Sequence, residues 1–238
     1  MKIINTSNNL QMKKIVVLTG AGISAESGIK TFRDSDGMWE NHNVMDVATP
    51  EGWQKNPKLV LDFYNQRRKQ LNSVFPNKAH SILKDLEDHF DVEIITQNVD
   101  NLHEKAGSSA IIHLHGMLTK VRSTKHANVV LDWHDDLNWG DTDSNGHQLR
   151  PHIVWFGEAV PMIEKAALIV EKADILVIIG TSLQVYPAAS LMQYASANTT
   201  IYYIDPNPAE MYDLPNDVYI IKEKASVGME KLYKILIN

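Results

Sequence analysis

The sequence predicts an α/β protein: a doubly wound parallel sheet of the Rossmann type, with a small domain formed by two insertions. Three observations lead there. Ile15–Thr19, an apolar or β-branched run, with Val92–Thr96 and the apolar Ile175–Ile179, read as buried parallel strands. Segments with helical spacing alternate with those strands, as a parallel sheet requires. The expected strand ends carry small and polar residues, Gly20-Ala21-Gly22, Gln97-Asn98-Val99-Asp100, His115-Gly116 and Gly180-Thr181-Ser182. The carboxyl ends of the strands form the ligand crevice of an open α/β sheet.

Taken in order, the first strand runs into Gly20, Gly22 and Ala25, which fit the G-x-G-x-x-G/A spacing of a dinucleotide-binding turn. A tight strand-to-helix turn without ligand shows the same pattern. No second strand ending in an acid arrives about 20 residues on, where a ribose partner is expected. Thr31–Trp39, polar and glycine-bearing with aromatic anchors, suits a loop that folds over a ligand. Asn56-Pro57 starts a helix on which Leu59, Val60, Phe63 and Tyr64 recur at helical spacing, and which carries Arg67 and Arg68 before Pro76. A second helix puts Ala79, Ile82, Leu83, Leu86 and Phe90 on one face.

Ala110–Leu114 is a short strand ending in His115-Gly116. Met117–Arg150, rich in Asp, Asn, Ser and Gly, reads as an irregular module with Trp133, Leu137 and Trp139 as its core. Pro151–Glu158 is extended, and Met162–Lys172 and Pro187–Ala197 are helical. Ile201–Ile204 and Val218–Ile221 are strands, and Val227–Ile237 is a closing amphipathic helix. The division expected is one domain over 13–238. Its core is 13–26, 77–116 and 152–238, the small domain is 27–76 plus 117–151, and 1–12 form a flexible N-terminus.

With 238 residues the chain is long enough for a full core, and 44% hydrophobic and 22% charged residues are ordinary for a globular protein. A net charge of −6 gives no support to sequence-independent nucleic-acid binding. The absence of cysteine excludes disulfides, thiolate metal ligands and a cysteine nucleophile. No apolar run is long enough to span a membrane, and the start, MKIINTSNNLQMKK, lacks the apolar core of a signal peptide. A cytoplasmic location is the expectation.

Polar residues at one strand end can be simple helix caps. Four together are harder to read that way, the more so because His115-Gly116 precedes no expected helix. His113 and His115, two apart on one strand face, could bind a metal, but no third ligand is evident. A structural histidine and a general base are the other readings of His115, since an imidazole titrating near neutrality suits proton abstraction.

The motifs GAGISAESGIKTFRDSDGMW, TQNVDNLHEKAG, HLHG, RPHIVWFGE and GTSLQVYPAA resemble, in order and spacing, those of the sirtuins, the NAD-dependent protein deacylases. The likeness runs from about Lys13 to Leu236. Asp46–Arg68 resembles the subgroup that accepts acidic acyl groups, through its tyrosine and arginine. The resemblance implies that NAD is consumed as co-substrate, giving nicotinamide, an O-acyl-ADP-ribose and free lysine.

It also implies residue roles. Gly20, Ala21, Gly22, Ile23 and Ser24 would hold the pyrophosphate. Ala25, Glu26, Thr31, Phe32, Arg33 and Trp39 would belong to the cofactor loop. Asn98, Val99 and Asp100 would bind the nicotinamide and its ribose, with Gln97 on the same ribose and His115 as the base for a ribose hydroxyl. Gly180, Thr181, Ser182, Asp205, Pro206, Asn207 and Ala225 would take the adenosine end, although the family usually has asparagine where Asp205 stands. An acyl-lysine peptide would add as a strand between Val154, Phe156, Gly157 and Glu158 on one side and Val185 and Tyr186 on the other, with Tyr64 and Arg67 at the closed end of the acyl tunnel.

The family normally carries zinc on four cysteines in this module, and Val121–Arg150 has none. Ser123 falls where the first thiolate would be, and Thr142–Gly146 about where the last pair would be. His126, His134 and His147 match no zinc spacing, so no zinc is expected. ADP-ribosyl transfer, an NAD sensor without turnover and a hydride-transferring dehydrogenase are the rival readings. The intact Asn98, Asp100 and His115 argue against the sensor, and the missing ribose acid against the dehydrogenase.

Overall fold

The computed structural model describes residues 12–31, 38–209 and 217–238. Strand β1 (Lys14–Thr19) turns at Gly20 into the short helix α1 (Ala21–Ala25). A ribbon of β2 (Met38–Trp39) and β3 (His42–Asn43) precedes α2 (Val44–Val47), α3 (Pro50–Lys55), α4 (Pro57–Gln70) and α5 (Lys78–Leu86). Side-chain caps start the last three: Thr49 Oγ1 accepts from Gly52 N, Asn56 Oδ1 from Leu59 N and Asn77 Oδ1 from Ala79 N. Proline at the first turn of α3 and α4 removes an N–H that would have lacked a partner.

The chain continues through β4 (Asp91–Thr96), α6 (Leu102–Ala106), β5 (Ile111–His113), β6 (Gly116–Ser123), β7 (Val130–Asp132) and β8 (Leu149–Ile153). Then come α7 (Ile163–Val170), β9 (Ile175–Ile179), a 3₁₀ segment at Ala188–Tyr194, β10 (Thr200–Ile204), β11 (Val218–Ile221) and α8 (Ala225–Ile237).

Six strands form one parallel sheet in the order β11-β10-β9-β1-β4-β5. Alternate residues of its strands feed two cores. Ile15, Val17, Ile94 and Val177 pack under α5 and α8 with Leu83, Leu86, Met229 and Leu232. Val16, Leu18, Leu176 and Ile178 pack under α7 and the 3₁₀ segment with Ala166, Val170 and Leu191. The chain first winds outward from β1 to β4 and β5, then restarts on the other side at β9. The switch point therefore lies between β1 and β9, and an open α/β sheet leaves its crevice there.

Met117–Arg150 departs from the irregular module expected. Its flanks form a three-stranded antiparallel sheet, β7-β6-β8. The register of β6 against β8 shifts between Gly116 and Val121, and this irregularity breaks the strict alternation that would have revealed a strand. The module's core also differs from expectation. Leu137 is fully buried with Leu61, Val121 and Leu149, but Trp133 only borders that cluster and Trp139 is 56% exposed. Leu137 is fixed by Asn65 of α4, which accepts from Leu137 N at 2.9 Å and donates to Leu137 O at 3.0 Å. A further cluster joins α4 to this sheet through Phe63, Tyr64, Leu118, Ile153 and Trp155.

Candidate active site at the switch point

At the crevice, three glycines let β1 and β9 turn against each other. A Cβ on Gly22 would lie 2.6 Å from Gly180 Cα, and one on Gly20 would lie 2.7 Å from both Gly180 O and Thr181 Cβ. Gly180 itself sits at φ +61. The N–H groups of Gly20 and Gly22 are already committed, to Ile179 O at 3.0 Å and Gly180 O at 2.8 Å. These two glycines therefore serve close approach rather than supplying free donors.

The loop after β4 forms the opposite wall. Thr19 and Thr96 end adjacent strands in register, and Thr19 Oγ1 donates to Thr96 Oγ1 at 2.8 Å. Thr96 Oγ1 also accepts from Asn98 N at 3.0 Å, while Thr19 Oγ1 meets His103 Nε2 at 3.1 Å. Asn98 is buried, and its amide donates to Gly20 O at 3.1 Å and Ser24 Oγ at 3.2 Å. Asp100 is buried as well, accepting from Ser24 Oγ at 3.0 Å and Leu102 N at 3.0 Å. Burial raises its carboxyl pKa against those hydrogen bonds. Gln97 Nε2 reaches across to Thr181 Oγ1 at 3.2 Å, joining the β4 and β9 ends.

His115 follows β5, and its Nδ1 lies 3.0 Å from Gln97 O. A carbonyl only accepts, so Nδ1 carries the proton and Nε2 bears the lone pair. Burial lowers this imidazole's pKa below 6.5, partly offset by the bond to Gln97. Gly116 has to follow: it sits at φ +80, pressed on His152 O. His113 has both nitrogens engaged, with Asn98 O at 3.0 Å and Glu104 Oε1 at 2.7 Å.

The other expected residues surround this wall. Ile23 is buried, Ala25 is exposed, and Val99 is half-buried beside the cleft of Asp100 and Arg67. Glu26 Oε2 accepts from Ser226 N at 2.9 Å, tying the turn to α8 beside buried Ala225. Buried Asp205 directly follows β10 and accepts from Asn207 N at 2.8 Å, with Pro206 exposed between them. Ser182 and Thr31 are half-buried. Phe32 and Arg33 lie outside the described residues.

On the facing side, Val154 N donates to His115 O at 2.9 Å, and Phe156, Gly157 and Tyr186 are exposed, with Val185 half-buried. The Glu158 carboxylate is fully engaged by Arg122, by Arg150 at 2.7 Å and by Trp155 N at 2.8 Å. Its side chain braces the turn, leaving backbone as the surface on offer. Beyond it, Tyr64 Oη accepts from Trp155 Nε1 at 3.0 Å, and Trp39 packs edge-on against Phe63 and Tyr64.

Arg67 lines a cleft with Trp39, Glu40, Leu71, Asp100 and Leu118. Its Nε and Nη1 are buried and find no acceptor among the described residues. Sequence reasoning missed Trp155, Glu40 and the Thr19–Thr96–His103 chain. Threonines closing two otherwise apolar runs were the available signal for the chain, and an indole on an apolar strand for Trp155.

The zinc that the sirtuin resemblance implies does not fit this module. Among the described residues no three histidine, aspartate or glutamate side chains converge. Instead Ser123 Oγ accepts from Lys125 N and His126 N at 3.2 Å each, and Asp143 Oδ1 accepts from Asn145 N at 2.8 Å and His147 N at 3.0 Å. The Ser123 hydroxyl, with the N–H groups of His147 and Asn145, holds the Asp143 carboxyl well below its usual range, so the two loops meet here as a clasp.

The sheet and its glycine-walled crevice define a protein of the dinucleotide-binding α/β class. Residues 20–187 match the model of the Sir2 family. An NAD-dependent protein deacylase of Helicobacter pylori is 60% identical over 227 residues, 95% of this chain and 99% of that protein. A Sir2 homologue crystallised with NAD superposes with a TM-score of 0.83 at 38% identity, over 94% of this chain and 90% of that one. A Sir2 protein bound to an acetylated peptide superposes with a TM-score of 0.78 at 25% identity, over 94% and 93%. The chain belongs to the Sir2 family.

Proposed function

We propose that the protein is an NAD-dependent protein-lysine deacylase that removes acetyl and carboxylate-bearing acyl groups, such as succinyl and malonyl, from lysine. The products are nicotinamide, an O-acyl-ADP-ribose and free lysine. The observation that carries the reading is His115, its Nδ1 proton committed to Gln97 O so that Nε2 is the base. Asn98 and Asp100 stand on the same loop, at the switch point.

The crevice suits NAD in its donor set: a buried amide and carboxyl at one end, and small-residue walls with Thr181 and Asp205 at the other. Bound NAD supplies a ribosyl carbon whose bond to nicotinamide can break. Asn98 and Asp100 would orient the leaving amide and its ribose, Gln97 would hold the same sugar, and His115 Nε2 would take a ribose hydroxyl proton. The exposed backbone of 156–157 and the Val185–Tyr186 segment would receive an extended acyl-lysine peptide. Arg67, with two buried donors lacking acceptors, is the partner for an acyl carboxylate, because an orphaned guanidinium donor is costly until an anion meets it.

The test is to incubate the protein with NAD and matched acetyl-, succinyl- and unmodified lysine peptides, following peptide mass and nicotinamide together. Nicotinamide released in step with deacylation is the expected result. ADP-ribose on protein without deacylation would make it a transferase, and NAD binding without product a sensor.

A further inference from the structure

We propose that Glu40 is a specificity-determining residue, opposing Arg67 in the acyl cleft and setting how strongly carboxylate-bearing chains are preferred over neutral ones. The proposal rests on the acyl-cleft reading above and adds a second, opposing charge to it.

Glu40 and Arg67 line the same cleft, reached from different elements. The Glu40 side chain is only 14% exposed, and its carboxylate pairs with Lys30 Nζ at 3.2 Å. The backbone holds it there. Glu40 and Asn41 are left-handed residues at φ 49 and 65, forming the turn between β2 and β3. Such a conformation in non-glycine residues persists only where the surroundings fix it. His42 Nδ1 donates to Glu40 O at 3.0 Å, and the His42 ring packs edge-on against Phe63.

The Arg67 guanidinium lies over that same Phe63, 4.5 Å from the ring centroid, and among the described residues makes one hydrogen bond, to Gln66 Oε1 at 3.3 Å. Phe63 thus contacts both the guanidinium and His42, which follows the turn that carries Glu40. The Glu40 charge favours the ionised arginine, yet no hydrogen bond of Arg67 is spent on Glu40. Arg67 therefore remains free to bind, with a fixed anion close by.

An incoming acyl carboxylate is attracted by Arg67 and repelled by Glu40, while Lys30 offsets part of that repulsion. A methyl-ended acetyl group meets none of these charges. In a partly desolvated cleft, unit charges several ångströms apart interact strongly enough to move binding by roughly an order of magnitude. Glu40 thereby limits the preference that Arg67 creates, and Lys30 restores part of it.

The experiment measures kcat/KM for succinyl-lysine and acetyl-lysine peptides, at low and moderate salt, in wild type, Glu40→Gln, Lys30→Met and Arg67→Met. The succinyl-to-acetyl ratio should rise roughly 3- to 10-fold in Glu40→Gln and fall by a similar factor in Lys30→Met, both shifts shrinking as salt rises. An unchanged ratio in a folded Glu40→Gln protein overturns the proposal, and so does a fall, which would make Glu40 a support for Arg67. Arg67→Met separates this from the reading beneath it. If it lowers both substrates equally the acyl-cleft reading fails, whereas a selective loss beside an unmoved Glu40→Gln ratio removes Glu40 alone.

Discussion

Arg67 and Arg68 are neighbours on α4 with different hydrogen-bonding states. Arg68 is 3% exposed; its Nε donates to Leu118 O at 2.8 Å, and its Nη1 to Asn65 Oδ1 at 2.7 Å and Asp135 O at 3.3 Å, with only Nη2 left without an acceptor among the described residues. Arg67, about 100° further round the helix, keeps two buried nitrogens without acceptors. Arg68 pins the helix to the module around β6, and Arg67 faces the cleft.

The two arginines should therefore fail differently. Arg68→Met should destabilise the fold by roughly 2–4 kcal/mol, since it strips charged hydrogen bonds from buried carbonyls. Thermal unfolding would show a fall of about 5–10 °C. Arg67→Met should unfold near the wild-type temperature yet lower kcat/KM for succinyl-lysine by roughly 10²-fold, about 3 kcal/mol of pairing. An Arg68→Met protein as stable as wild type would show that those bonds are not holding the module.

For the base, His115→Ala should lower deacylation by roughly 10²–10⁴ while NAD binding changes only a few-fold. The pH profile adds a second check. A base works when neutral, and burial lowers the His115 pKa below 6.5, so it stays neutral further into acid. The acid limb of kcat/KM should then fall below pH 6.5, with activity lost as pH drops through the lowered pKa. A limb above 6.5 assigned to His115 would contradict the desolvated imidazole.

Stability should also depend on pH, through His80. Its Nδ1 accepts from Asn77 N at 3.3 Å, and burial lowers its pKa from 6.5 to about 4. A group with a depressed folded pKa stabilises fully above its unfolded pKa, and that contribution drains as pH falls towards the folded one. Between pH 6.5 and 4, His80 should cost about 1.4 kcal/mol per pH unit. Denaturant unfolding at pH 7, 6 and 5 measures the slope, and His80→Gln should remove one proton's share of it.

The clasp makes a fourth prediction. Ser123→Ala removes the hydroxyl that meets Asp143, Lys125 N and His126 N. It should lower the melting temperature by several degrees, and chelator should change neither the melting temperature nor the activity of the wild type. One mole of tightly held zinc per chain would refute the clasp as the module's cross-link.

Strand positions in the sheet were legible because Ile15 and Val177 sit in uninterrupted apolar runs of the kind a doubly covered sheet buries. That the polar residues Asn98, Asp100 and His115 follow strands of the sheet was legible because the apolar runs before them end at their motifs. Arg68 was not. It shares α4 with Arg67, and helical spacing cannot say which arginine meets the carbonyls of Leu118 and Asp135, more than 45 residues downstream. Trp139 misled for a related reason: its bulk suggested a core, but Asn65 anchors the smaller Leu137 instead. The sheet around β6 was hidden by its register shift.

Where a thiolate cross-link relies on sulfur, peroxide and related oxidants can open it by driving that sulfur up its oxidation ladder and expelling the ion. The clasp between Ser123 and Asp143 is built from oxygen and nitrogen, in a chain without a single cysteine. Its oxidisable sulfur resides in nine methionines, none of them part of that clasp. Under oxidative stress the module should stay latched, and deacylation should persist at peroxide levels that unfold a thiolate-bound counterpart.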